Sequence, residues 1–265
     1  MTVSPRRLTP SKLLRRYFHP FNTRLLDGMR ERAQTDELWE VMAWGAEECN
    51  LRFQLTRGSF LPTGPQLVVF NHHSPVDLFL ASLIRRNDVS LLSAPGAMTI
   101  GGVVAKNCLP LFALDRGMSH PLEAFRVRVI YRLRDGVTPE AANLINLTSL
   151  TRAADVVSKG GTVAMTPTGG TIARSDNWRH GIGYILKRIN VLQTKMVLGR
   201  IQGTRTSTAV RMLNPYWFRW FRKPKSVNVE IADPIPLSEF TKGNPSVEEI
   251  SLRVKARYLE IFGSL

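Results

Sequence analysis

A histidine and an aspartate five positions apart, His72 and Asp77, are the residues of this chain most able to do chemistry. They lie in Asn71-His72-His73-Ser74-Pro75-Val76-Asp77. An imidazole with one ring nitrogen on a carboxylate has its tautomer fixed and its other nitrogen free to take a proton. Such a pair is a general base with no nucleophile of its own, which suits a reaction whose nucleophile is a substrate hydroxyl. The same residues admit a plainer reading. Ser74-x-x-Asp77 resembles a capping box, in which the acid merely satisfies free amides at a helix N-terminus. A metal site on His72, His73 and Asp77 is a weaker reading. Adjacent residues leaving a strand point to opposite sides, and no other His/Cys cluster supplies ligands. Cap and base both stay open on these residues alone.

The elements around the pair follow from pattern. Leu67 to Phe70 is an apolar run that suits a buried strand. Ser74-Pro75 is a helix start, with Ser as N-cap and Pro at the first helical position, so a helix is expected from Pro75 to about Arg86. Further strands are expected at Leu51–Leu55, Val89–Ser93, Leu109–Ala113, Thr162–Met165, Lys195–Ile201 and Val227–Ile231. Helices are expected over Asp36–Glu48, twice within 117–150 around Asp135-Gly136, through Ala153–Ser158 to a stop at Gly160-Gly161, and over Val247–Phe262. In the last, Val247, Ile250, Val254, Tyr258 and Ile261 share one face. This alternation predicts a single-domain α/β fold, with a mixed, mostly parallel sheet flanked by helices. Residues 1–34 form a basic amphipathic N-terminal helical segment, and residues 35–265 the α/β domain.

The 265 residues carry 36 Lys+Arg against 21 Asp+Glu, a formal charge of +15. Such a surface attracts anions. Six cations precede the first acid, Asp27, interleaved with Leu13, Leu14, Tyr17, Phe18, Phe21, Leu25 and Leu26. That pattern suits an anionic membrane surface or a core helix with a solvated basic face. Pro215 to Lys223 mixes large aromatics with cations, as interfacial segments do. The uncharged stretch Val89 to Ala105 is broken by Pro95, Gly96, Gly101 and Gly102 and is too short to span a bilayer. The two cysteines, Cys49 and Cys108, give neither a disulfide framework nor a metal spacing. No helix-turn-helix, zinc or RNA-binding signature accompanies the charge, so no nucleic-acid partner is expected.

Three further stations follow in order. Leu109 to Gly117 places Arg116 just past an apolar strand, where its rigid fork of donors suits phosphate. Val163 to Thr171 runs from strand to proline to Gly169-Gly170, whose backbone can approach an anion closely, with Arg174 shortly after. Met196 to Ile201 is an apolar strand that either closes one side of a cleft or is plain core.

In this order the stations resemble the glycerolipid acyltransferase family, over roughly residues 65 to 235. That family has a His-x4-Asp block, an arginine block, a Pro-x-Gly block and a later apolar strand block. Here these match His72 with Asp77, Arg116, Pro167 to Thr171, and residues 196–201. Where most members carry Pro-Glu-Gly-Thr, this chain has Thr168 at the glutamate position. The Pro-Thr-Gly-Gly run is closer to the Pro-Ser-Gly-Gly of the soluble plastid-type glycerol-3-phosphate acyltransferases.

The resemblance implies an enzyme that moves a fatty acyl group from acyl-CoA or acyl carrier protein to a hydroxyl of glycerol 3-phosphate or a lysophospholipid, without a cofactor. It implies His72 as base, Asp77 as its orienting partner, and Arg116, Gly169, Gly170, Thr171 and Arg174 as binders of the acceptor phosphate. It implies peripheral attachment to the cytoplasmic face of a membrane, organelle targeting being a second possibility. The absent glutamate motivates an alternative, a non-catalytic lipid-binding protein on the same scaffold.

Overall fold

The structure is a computed structural model that describes residues 22–112, 136–168, 178–189, 193–213 and 223–263. It is an α/β fold built on one sheet. The strands are β1 (Leu51–Arg57), β2 (Gln66–Phe70), β3 (Val89–Ser93), β4 (Cys108–Pro110), β5 (Thr162–Met165), β6 (Lys195–Gln202), β7 (Lys225–Ile231) and β8 (Ile235–Pro236). The order is β1-β7-β6-β2-β5-β3-β4, with β8 beside β6. Strands β6, β2, β5, β3 and β4 are mutually parallel, as the crossover helices between them require. Strand β7 runs antiparallel to β6, and β1 lies parallel to β7. The sheet is therefore mixed and mostly parallel.

The central strands are covered on both faces, so β2 is buried at every position. Its side chains alternate between two cores. Val68 and Phe70 face one layer, whereas Leu67 and Val69 face the other. The first layer is α1 (Thr23–Arg32), α2 (Leu38–Glu48), a 3₁₀ helix over Pro75–Leu83, a second over Pro95–Ile100 and the short α3 (Gly102–Asn107). The second is α4 (Pro139–Ser158), α5 (Gly181–Leu186) and α7 (Val247–Phe262), with the one-turn α6 (Ser238–Thr241) before it.

Local chemistry sets the helix ends. The Asn22 side chain accepts from Leu25 N at 3.0 Å and caps α1. Thr138 caps α4, with Pro139 at the first helical position. Ser246 and Glu249 close a capping box on α7, which ends at Gly263 in the left-handed region.

Three expectations shift. The strand expected over Leu109–Ala113 is the three-residue β4, which ends at Pro110. The segment from Pro75 is a 3₁₀ helix that ends at Leu83, short of Arg86. The Arg86 side chain is drawn away to Leu61 O at 3.2 Å, to Gly64 O at 3.0 Å and to the Asp88 carboxylate. On α7 the buried face closes with Phe262, and Ile261 is only partly buried. The expected helices within 117–135, Ala113, and the segments 1–21 and 215–222 lie outside the described residues.

Candidate active site

The parallel strands β2, β5 and β3 end at one edge of the sheet, where open α/β sheets place their ligand sites. Asn71 leaves β2 there and is fixed by its side chain. Its Oδ1 accepts from Ile201 N at 2.6 Å, and its Nδ2 donates to Ile201 O at 3.0 Å. The amide thus extends the β2–β6 ladder past Phe70 and sets the direction in which the chain leaves it.

The Asp77 carboxylate then folds back on the same turn. One oxygen, Oδ2, accepts from His73 N at 2.7 Å, from Ser74 N at 2.8 Å and from His72 Nδ1 at 3.1 Å. The two readings of Asp77 are therefore one arrangement. The oxygen that satisfies amides at the start of the 3₁₀ helix also holds the imidazole. With Nδ1 donating to the carboxylate, His72 Nε2 carries the lone pair. The Asp77 side chain is 2 % exposed and that of His72 is 14 % exposed, so the acid is sealed while the ring keeps an open side.

The adjacent histidines part. His73 Nε2 accepts from Asn71 Nδ2, so His73 braces the turn instead of joining His72. Among the described residues, no group of three or more His, Cys, Asp or Glu is placed to hold a metal ion. Burial pushes the Cys108 thiol up and makes it a poor nucleophile.

His72 and Asp77 lie at the wall of a cavity of about 360 Å³. The cavity reaches beneath Phe70 and past Leu80, Ala81 and Ile84 of the first layer, with Leu91 and Ala164 of the sheet along its floor. Leu25, Leu26 and Met29 of α1 line it too, as does Met212 of a 3₁₀ helix over Thr206–Met212. Its lining is apolar apart from a few polar groups grouped at the strand ends, His72, Asp77, Ser93 and Thr166. A long apolar chain fits such a space with its polar end at His72.

Of the other residues singled out in the sequence, Thr166 reaches the cavity and Thr168 is buried. The Pro167 carbonyl accepts from Arg179 N at 2.8 Å. Arg116, Gly169, Gly170, Thr171 and Arg174 lie outside the described residues. Strand β6 is a central core strand whose link to the site is the Asn71–Ile201 pairing. The α1 wall is a feature that sequence reading missed, since the Leu25, Leu26 and Met29 spacing reads equally as a membrane-facing stripe. No protein-family model matches the chain, and a comparison with curated proteins finds no match. Among the described residues no helix is long and apolar enough to cross a membrane.

Proposed function

We propose that this chain is an O-acyltransferase of phospholipid biosynthesis. It moves a fatty acyl group from an acyl thioester, acyl-CoA or acyl carrier protein, to a hydroxyl of glycerol 3-phosphate or a lysophospholipid. The observation that carries the reading is a histidine held by a buried carboxylate in the wall of an apolar cavity.

The chemistry follows from that placement. The acyl chain lies in the cavity, each buried methylene contributing about 0.8 kcal/mol, and its thioester carbonyl sits at the strand ends. His72 Nε2 takes the proton of the acceptor hydroxyl as the oxygen attacks the carbonyl carbon. Asp77 stabilises the imidazolium that forms and keeps the ring from turning. The new C–O bond forms, the C–S bond breaks, and the proton passes from His72 to the departing sulfur. The nucleophile is the substrate's own, so no Ser or Cys nucleophile is required. The acceptor phosphate falls to Arg116, Gly169, Gly170, Thr171 and Arg174, as the family resemblance implies. The basic, leucine- and aromatic-rich N-terminal segment fits work at an anionic bilayer surface, on its cytoplasmic face.

The test is mass spectrometry of lipids after incubating the purified protein with mixed thioesters, glycerol 3-phosphate and lysophospholipids. A new acylated product that disappears in His72→Ala is expected. No product from any pairing overturns the proposal. The cavity equally suits a second reading, a lipid-binding protein without catalysis. In that case His72→Ala binds fatty acid as the unaltered protein does, and neither protein forms product.

A further inference from the structure

Arg205, Arg211 and Lys225 gather at the sheet edge that carries His72, and none forms an ion pair among the described residues. Short bonds tie them to one another's surroundings. Lys225 Nζ donates to Thr208 Oγ1 at 3.4 Å, and Arg205 N donates to the same hydroxyl at 2.9 Å. Lys225 N donates to Asn50 O at 3.0 Å, and an Arg211 guanidinium nitrogen reaches the same carbonyl at 3.2 Å. Burial first, then the positive charges of Arg211 and Arg205, lower the Lys225 ammonium from its usual range. Crowding cations in this way is unfavourable, and an anion placed among them relieves it.

Arg211 has a structural task, since it also donates to Cys49 O at 3.4 Å and Lys223 O at 2.8 Å. The Arg205 guanidinium is exposed and has no such task among the described residues. Next to it, Thr204 is buried with a hydroxyl that finds no hydrogen-bond partner among the described residues.

The cluster lies close to the catalytic pair. Arg205 follows Ile201, the residue clasped by Asn71, by four positions, so their Cα atoms are at most about 14 Å apart. Strand β7 is two strands from β2, a lateral offset of about 10 Å.

We infer that Arg205 and Lys225, in the field of Arg211, form a phosphate-binding site beside the mouth of the His72 cavity. Its residues differ from those at 116 and 169–174 that the family resemblance implies for the acceptor phosphate. The ligand is a phosphate group, carried either by a soluble phosphorylated molecule or by a lipid headgroup. Its part in catalysis rests on the acyltransferase reading, whereas its existence does not.

The test is binding, measured without turnover. Inorganic phosphate is titrated into the unaltered protein and into Arg205→Gln, Lys225→Gln and the double variant at fixed ionic strength. Phosphatidylcholine vesicles with and without phosphatidic acid are co-sedimented with the same proteins. Arg211 is left in place because it closes three carbonyls. Arg152→Gln, an exposed change on α4, controls for loss of bulk charge. The double variant is expected to lose affinity about tenfold, the scale of one charge-assisted hydrogen bond. Arg152→Gln is expected to lose little. Loss confined to free phosphate assigns a soluble ligand, loss confined to phosphatidic acid vesicles assigns a headgroup, and loss in both supports the phosphate site itself. Unchanged binding of both probes, or an equal loss in Arg152→Gln, overturns the inference. A protein that binds phosphate here yet transfers no acyl group leaves this site standing and removes only the acyltransferase role.

Discussion

The two faces of the sheet receive alternate side chains from the same strands, yet they are covered differently. On the Val68 and Phe70 face the cover is two 3₁₀ helices, the six-residue α3, the ten-residue α1 and the eleven-residue α2. On the Leu67 and Val69 face it includes the twenty-residue α4 and the sixteen-residue α7. Long α-helices interdigitate their ridges over several turns. A 3₁₀ helix stacks every third residue in line and packs less evenly. Close approach occurs in both layers: a Cβ on Gly183 would lie 2.0 Å from Val247 O, and one on Gly102 would lie 1.9 Å from Ala33 O. Tyr258, Trp178 and Phe262 fill the α7 side, with ring centroids 5.5 and 4.8 Å from Tyr258. The cavity lies on the other side, under small residues such as Ala81 and Ala97. Space for a ligand follows from which helices are short, and the polar pair sits where that space meets the strand ends.

Under the proposed function the chemistry belongs to one face and support to the other, so the largest effect on activity is expected at His72. His72→Ala should lower acyl transfer by about 10²- to 10⁴-fold, with the thermal midpoint nearly unchanged; activity that survives removes His72 from the reaction. Asp77→Asn should come next. It separates the two duties of one oxygen, since loss of a cap costs about 1 kcal/mol of stability while misorientation of the ring lowers kcat far more. A stability loss with unaltered kcat would reduce Asp77 to a cap.

Added bulk then compares the faces directly. Ala154→Leu, in the α4 core, should cost about 1–3 kcal/mol by urea titration. Ala81→Leu should cost less, because the cavity accepts the extra carbons, and should shift transfer toward shorter acyl chains. Equal costs at the two alanines would mean that the cavity is closed to ligands in solution. The smallest effect is expected at Leu144, 66 % exposed on α4, where Leu144→Ser should stay within about 0.5 kcal/mol.

The sequence foretold these parts unevenly. Strands β3 and β5 and helix α7 were legible to the residue, because buried apolar runs and a helical stripe are local signals. The His72–Asp77 pair was legible for the same reason, being closed within one turn. The segment after β3 was not. It holds a 3₁₀ helix and α3, each of six residues, too short for periodicity to register. Its Gly102 answers to tertiary contact: a Cβ there would meet Ala33 O at 1.9 Å. The cavity and the Arg205–Arg211–Lys225 cluster were not legible because each joins residues far apart along the chain.

The bond between His72 and Asp77 spans only five residues, and the amides held with it lie between them. Closing so short a loop requires little chain entropy and no distant partner. The pair can assemble early in folding, while the cavity waits for α1, β3 and β5 to arrive from elsewhere. Substitutions that loosen the layer over the cavity should therefore blur which ligand is accepted well before they disturb the group that acts on it. Under the proposed function, preference and reactivity in this fold can drift independently.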